Sequence, residues 1–311
     1  MEHGIATHLS GACNDKKKEL RIRASGGEGP RGETLTRAKA KKQVKGKPPK
    51  WGLPWFAWLV IALVIAGVVV FVRIYPMGQS SPDNMVKPRA AIVDQLSSLL
   101  ENEDFVTEVT RELEDYGFEV DLYQGDEITV DFYRGLPTHG YKLIIFRAHS
   151  GLLAEDEEII ERTVLFTNEE YSLSRYVGEQ LDDRLVMARV DEGYPMLFGI
   201  PPKFISESME GKFDDAVIIM MGCSGIYLGD LAGALVDKGA SVYLAWHGSV
   251  ELYYVDEATP YLMRQLCSGN LTIKEAVGST MDVIGPDPEH NAVLKYYPSH
   301  NGDKTLEELI K

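Results

Sequence analysis

From residue 88 onward the chain alternates short apolar runs with segments of helical period. Ala90-Ala91-Ile92-Val93 predicts a strand that ends at Asp94. Phe105, Val106, Val109 and Leu113 share one face of a helix over residues 105–116, and Gly117 suits its C-cap. Residues 118–123 alternate as a half-buried strand, and a short helix over 130–133 follows. Two apolar runs come next, at 143–146 and 216–221, each β-branched and too short for a helix, as expected of parallel strands buried on both faces. A helix over 228–238 closed by Gly239, a strand over 240–246, and helices over 261–266 and 271–277 complete the pattern. Strands alternating with helices predict an α/β domain over residues 88–285, with a mostly parallel sheet flanked by helices. Residues 286–311 read as an irregular C-terminal extension.

Residues 152–212 are too long for an ordinary connection between strands and read as an insert, with a helix over 171–180 and a hairpin turning at Asp191-Glu192-Gly193. A long excursion at a functional rim is expected to act as a lid or specificity element.

Earlier in the chain, residues 55–72 run for eighteen positions without a charge, from Trp55 to Val72. That length crosses a hydrocarbon core, and Trp51, Trp55, Trp58 and Tyr75 fit the aromatic belts. Residues 55–75 therefore predict a transmembrane helix, and 76–87 a polar stalk. Charge divides at this point. Residues 1–54 carry 13 Lys and Arg against five acids, whereas from Ile74 onward 18 face 42. The basic segment lacks apolar periodicity and reads as a disordered tail. Its lysines (Lys39, Lys41, Lys42, Lys45, Lys47, Lys50) read as the positive flank of the span rather than a nucleic-acid site. The positive-inside rule then places this tail in the cytoplasm and the acidic domain outside the cell membrane, as a single-pass signal-anchor protein.

Both apolar runs end in a reactive side chain among small residues: Phe146-Arg147-Ala148-His149-Ser150-Gly151 and Met221-Gly222-Cys223-Ser224-Gly225. Open α/β sheets build their sites past the carboxyl ends of strands. A histidine at one tip and a cysteine at the next is the arrangement of a thiol nucleophile and its base. The thiolate would be favoured by His149 and by a helix beginning just after Cys223. Backbone N–H groups of Ser150, Gly151, Gly222 and Cys223 are candidates to stabilise an oxyanion. The bland alternative is a buried structural cysteine, the usual fate of a lone thiol after a strand. Cys13 and Cys267 carry no such context. His139 falls in a turn, and His290 and His300 lack metal-ligand spacing. Asn270-Leu271-Thr272 matches a glycosylation sequon, a pattern frequent by chance.

These two blocks, in this order, resemble those of the caspase-like clan of cysteine peptidases, which includes caspases, metacaspases, gingipains, clostripain and legumain. The resemblance covers about residues 88–255, and Ser150 stands where the clan usually has Gly. It implies a caspase-like fold and a membrane-anchored, extracytoplasmic endopeptidase that cleaves protein or peptide substrates. Its Cys223–His149 dyad would need no cofactor or metal for the chemistry. Calcium, which some members use, stays open in so acidic a domain. The resemblance also implies a substrate pocket near Asp94, the residue after the first strand, with Trp246, His247 and Ser249 after a later strand. Asp230 and Glu251 are further acidic candidates, and an acidic pocket would select Arg or Lys. His247 is the rival base. The alternative function is a catalytically silent domain of the same fold, serving as a membrane-tethered binding or signalling module.

Overall fold

The computed structural model describes residues 5–7, 87–155, 158–191 and 193–311. The span over 55–75, the stalk, and nearly all of the basic tail lie outside these residues. Among the described residues no helix is long and apolar enough to cross a membrane.

The domain is a mixed α/β structure on a six-stranded sheet. In chain order the first strands and helices are β1 (Ile5–Thr7), β2 (Arg89–Asp94), α1 (Glu103–Tyr116), β3 (Glu119–Gln124), α2 (Val130–Gly135) and β4 (Tyr141–Arg147). There follow β5 (Ser150–Glu155), β6 (Glu158–Glu170), α3 (Val177–Leu181), β7 (Val186–Arg189), β8 (Leu197–Ile200) and α4 (Pro202–Glu207). The chain then returns to the main sheet with β9 (Ala216–Met220), α5 (Asp230–Asp237) and β10 (Ala240–Trp246). It ends with α6 (Leu252–Cys267), α7 (Ile273–Val283), β11 (Leu294–Tyr297) and α8 (Leu306–Leu309).

Across the main sheet the order is β3-β2-β4-β9-β10-β11, parallel throughout except for the antiparallel edge strand β11. The strand order reverses between β2 and β4, and such a reversal opens a crevice at the carboxyl ends of the strands. Alternate side chains feed two cores. Leu143, Ile145, Val217 and Ile219 point to the face covered by α1, α6 and α7, whereas Ile144, Phe146, Ile218 and Met220 point to the face of α2, α4 and α5. Helix α1 follows its sequence pattern: Phe105, Val109 and Leu113 are buried, Asn102 caps the start through Phe105 N–H, and Gly117 closes the end at φ 116°. Helix α6 runs through Pro260 and so starts nine residues before the expected helix.

Where the sequence predicts a helix-bearing insert, the structure has mainly strands. β5 pairs with β6 from Ser150 onward, and β6, β8 and β7 continue the antiparallel sheet. β1 pairs with both β5 and β7 and closes these five strands into a barrel. The expected hairpin around 191–193 is present as β7–β8, but the expected helix over 171–180 is reduced to α3, entered through Tyr176 at φ 51°. The C-terminal stretch read as irregular contributes β11 and α8.

Candidate active site

His149 and Cys223 stand on adjacent parallel strands. Phe146 of β4 is in register with Met220 of β9, and each candidate lies three residues further on. Cys223 joins Ile145, Ile219 and Met221 in one core cluster, and His149 lies two residues beyond the end of β4. The two tips are tied directly, because Ser150 Oγ donates to the carbonyl of Cys223 at 2.6 Å. Gly222 is required for that approach. A Cβ there would lie 2.4 Å from the Ala148 carbonyl oxygen and 2.5 Å from Ser150 Oγ. Its smallness lets the protein's own strand tip come close, not a substrate backbone. Ser150 is fully buried, and both Ser150 and Gly151 belong to strand β5.

The residue after Cys223, Ser224, holds a left-handed backbone at φ 56° and donates its N–H to the Gly248 carbonyl at 2.7 Å. A non-glycine residue in this region stores strain, a feature that clusters at functional sites. The helix expected to begin just after Cys223 starts only at Asp230. Cys223 is 4% exposed, and its sulfur meets the Val250 backbone, with N–H at 3.4 Å and carbonyl oxygen at 3.5 Å.

His149 is held from behind. Its N–H donates to Gln95 Oε1 at 2.9 Å, and its carbonyl accepts from Phe166 N–H at 3.1 Å. The ring sits 5.9 Å from that of Phe166. On the outer side it lines a cavity of about 100 Å³ that opens to solvent. The wall from the segment after β2 is Leu96, Leu99 and Leu100, and the opposite wall is Glu251, Leu252 and Tyr253 at the start of α6. Val190 and Tyr194 from the β7–β8 connection complete it and separate it from a second cavity that carries Asp126 and Glu170.

Beneath the cavity lies a buried cluster that sequence reasoning left out. Arg147 is fully buried and donates to Asp94 Oδ1 (2.8 Å), to both carboxylate oxygens of Asp256 (2.8 and 2.9 Å) and to the Leu100 carbonyl (3.0 Å). Asn102 adds a bond to Asp256, so one guanidinium joins β2, β4, α6 and the loop that walls the cavity. Burial pushes the Asp94 carboxyl above the ordinary carboxylate range, and Arg147 and Gln124 only partly offset it. A charge inside the apolar run Ile144-Ile145-Phe146-Arg147 was the readable signal for this cluster.

The structure disperses the remaining pocket candidates. Asp94 is enclosed with Arg147 and opens to no substrate. Trp246 is a core residue packed against Tyr254 at 5.2 Å. His247 stacks near Tyr227 at 5.1 Å and takes the opposite alternation to Trp246, away from the cavity. Ser249 lies in the loop before α6, outside the cavity lining. Asp230 accepts from the N–H and hydroxyl of Thr163 at 2.7 and 2.8 Å, clamping α5 to the long strand β6. Glu251 alone of the six lines the cavity, where it faces His290 Nε2 at 3.3 Å.

The chain matches no family model and no curated protein. Among the described residues no group of three or more His, Cys, Asp or Glu is placed to hold a metal ion.

Proposed function

We propose that the chain is a membrane-anchored cysteine endopeptidase with a caspase-like domain, in which Cys223 is the nucleophile and His149 the general acid and base. The observation that carries this reading is the matched register. Both residues lie three positions past a paired position on neighbouring strands, at one rim of the sheet. In the reaction the Cys223 thiolate attacks the peptide carbonyl carbon, and backbone N–H groups at the two tips hold the oxyanion. Protonated His149 gives its proton to the leaving amine nitrogen as the C–N bond breaks. Water, losing its proton to His149, then attacks the thioester, releasing the carboxylic acid and the thiol.

The second reading, a silent binding module, is favoured by the burial of the thiol against Val250. Hydrolysis of a mixed peptide library by the detergent-solubilised full chain separates the two. The enzyme reading expects cleavage that falls at least about a thousandfold in both Cys223→Ala and His149→Ala. Cleavage that survives either substitution overturns the dyad, and a library left intact by the parent chain favours the module.

Anchoring by residues 55–75 is part of the proposal and rests on their hydropathy. The pairing of β1 with β5 and β7 opposes a single-pass topology, since it puts residues 5–7 on the domain's side of the membrane, whereas a single pass puts the tail on the other. Protease protection of tags at the two termini tests this. Protection of one terminus only supports a single-pass topology with the domain outside, and equal protection of both refutes it.

A further inference from the structure

We infer that the cavity beside His149 receives an apolar side chain of the substrate, so that the peptide chemistry favoured is aromatic or branched aliphatic rather than basic. This rests on the reading of Cys223 and His149 as the reacting pair. The acids that would create a basic preference are committed elsewhere. Asp94 is sealed against Arg147, and Asp230 is bonded to Thr163. The cavity that adjoins His149 is walled by Leu96, Leu99, Leu100, Leu252 and Tyr253, and Glu251 is the single carboxylate among the described residues that line it. That carboxylate is already opposed by His290 at 3.3 Å. Leu99 is 48% exposed and Tyr253 59% exposed, so large apolar groups face solvent beside a polar pair. Exposed apolar surface gathered into a concavity marks a binding site, while the same residues scattered singly would not. Removing a Phe or Leu side chain from water into such a wall is worth roughly ten- to a hundredfold in selectivity over a charged residue.

The experiment uses the full chain and peptides that differ only at the residue before the reactive carbonyl: Phe, Leu, Arg or Asp. Each is made as an acyloxymethyl ketone, read by mass spectrometry at Cys223, and as an unreactive amide, read by fluorescence polarisation. The expected result is labelling and binding fastest and tightest for Phe or Leu, by at least tenfold over Arg. Leu99→Asp should reduce that preference about tenfold, while Leu122→Asp, on the exposed edge strand β3, leaves it intact. If the Arg probe and amide are preferred, the inference is overturned and the peptidase reading survives. Amides that bind with the Phe preference but ketones that never label Cys223 keep the apolar cavity and refute the chemistry. Absence of binding by every amide overturns the inference.

Discussion

Replacing Arg147 with Met tests the structure most severely. Among the described residues the guanidinium is the sole cation bonded to Asp94, and it also clasps Asp256; Arg147 and Asp94 are fully buried and Asp256 nearly so. Removing one partner of a buried ion pair strands the other without water and costs about 3–5 kcal/mol. With two carboxylates left behind, the upper half of that range is expected. At a urea dependence of about 2.5 kcal/mol per molar, about 4 kcal/mol moves the unfolding midpoint down by about 1.6 M. The pH dependence supplies an independent check. Without Arg147, burial acts on Asp94 with only Gln124 to oppose it, so its folded pKa climbs further above the unfolded value. Such a carboxyl contributes stability that is present below the unfolded pKa and is lost as pH rises through the folded pKa. The deficit of Arg147→Met against the parent should therefore grow between pH 5 and pH 8. Asp94→Leu/Arg147→Met/Asp256→Leu, which leaves no stranded charge, should regain most of the loss. Urea titrations followed by circular dichroism at both pH values measure all of this. A single variant within 1 kcal/mol of the parent at pH 7.5, or a deficit that shrinks toward pH 8, would refute the reasoning.

Two further outcomes follow from the tips and from the remaining thiol. Gly222→Ala places a methyl group on the Ala148 carbonyl and Ser150 hydroxyl, and should lower stability by about 2–3 kcal/mol, read as a fall in melting temperature. The Cys267 thiol is pushed up to about 12, chiefly by burial, so at pH 8 only about one in ten thousand is ionised. Peptide mapping after iodoacetamide at pH 8 should find Cys267 unmodified in the folded chain and modified in denaturant; rapid labelling of the folded form would contradict its placement.

The main sheet was legible because its strands are buried on both faces. Ile144-Ile145-Phe146 and Val217-Ile218-Ile219 are apolar without interruption, and no helical pattern competes over so few residues. The adjacency of the two tips was a condition of the sequence reading, and the pairing of β4 with β9 meets it. The insert was not legible for the opposite reason. Its long strand β6 mixes Glu, Arg, Thr and Asn with apolar residues, since it belongs to a small barrel with a slight core of its own around Val164, Phe166 and Val186. The helix expected over 171–180 fails because Tyr171 and Tyr176 pack on Phe198 at 5.0 and 5.3 Å, and this tertiary contact sets the chain path. The sequence reading placed only 261–266 of helix α6; Pro260 removes the N–H that would meet the Asp256 carbonyl, and burial of Thr259, Leu262 and Met263 outweighs that loss. The cavity beside His149 was not foreseen because its walls come from three separate segments whose meeting no local pattern records.

Leu165 of β6 lies in register with Ser150 on one side and Ile200 on the other. The entrance and exit of the fifty-residue excursion are thus about two strand spacings apart, roughly 10 Å. This has a kinetic consequence. Ser150 and Cys223 are 73 positions apart in sequence, and closing a loop of that size is what makes non-local sheets slow to form. Once β5, β6 and β8 have paired, the same closure runs only from Ile200 to Cys223. The small barrel therefore acts as a splint during folding: weakening it slows the docking of β9 onto β4 and leaves the sheet's longest apolar edges open to association for longer.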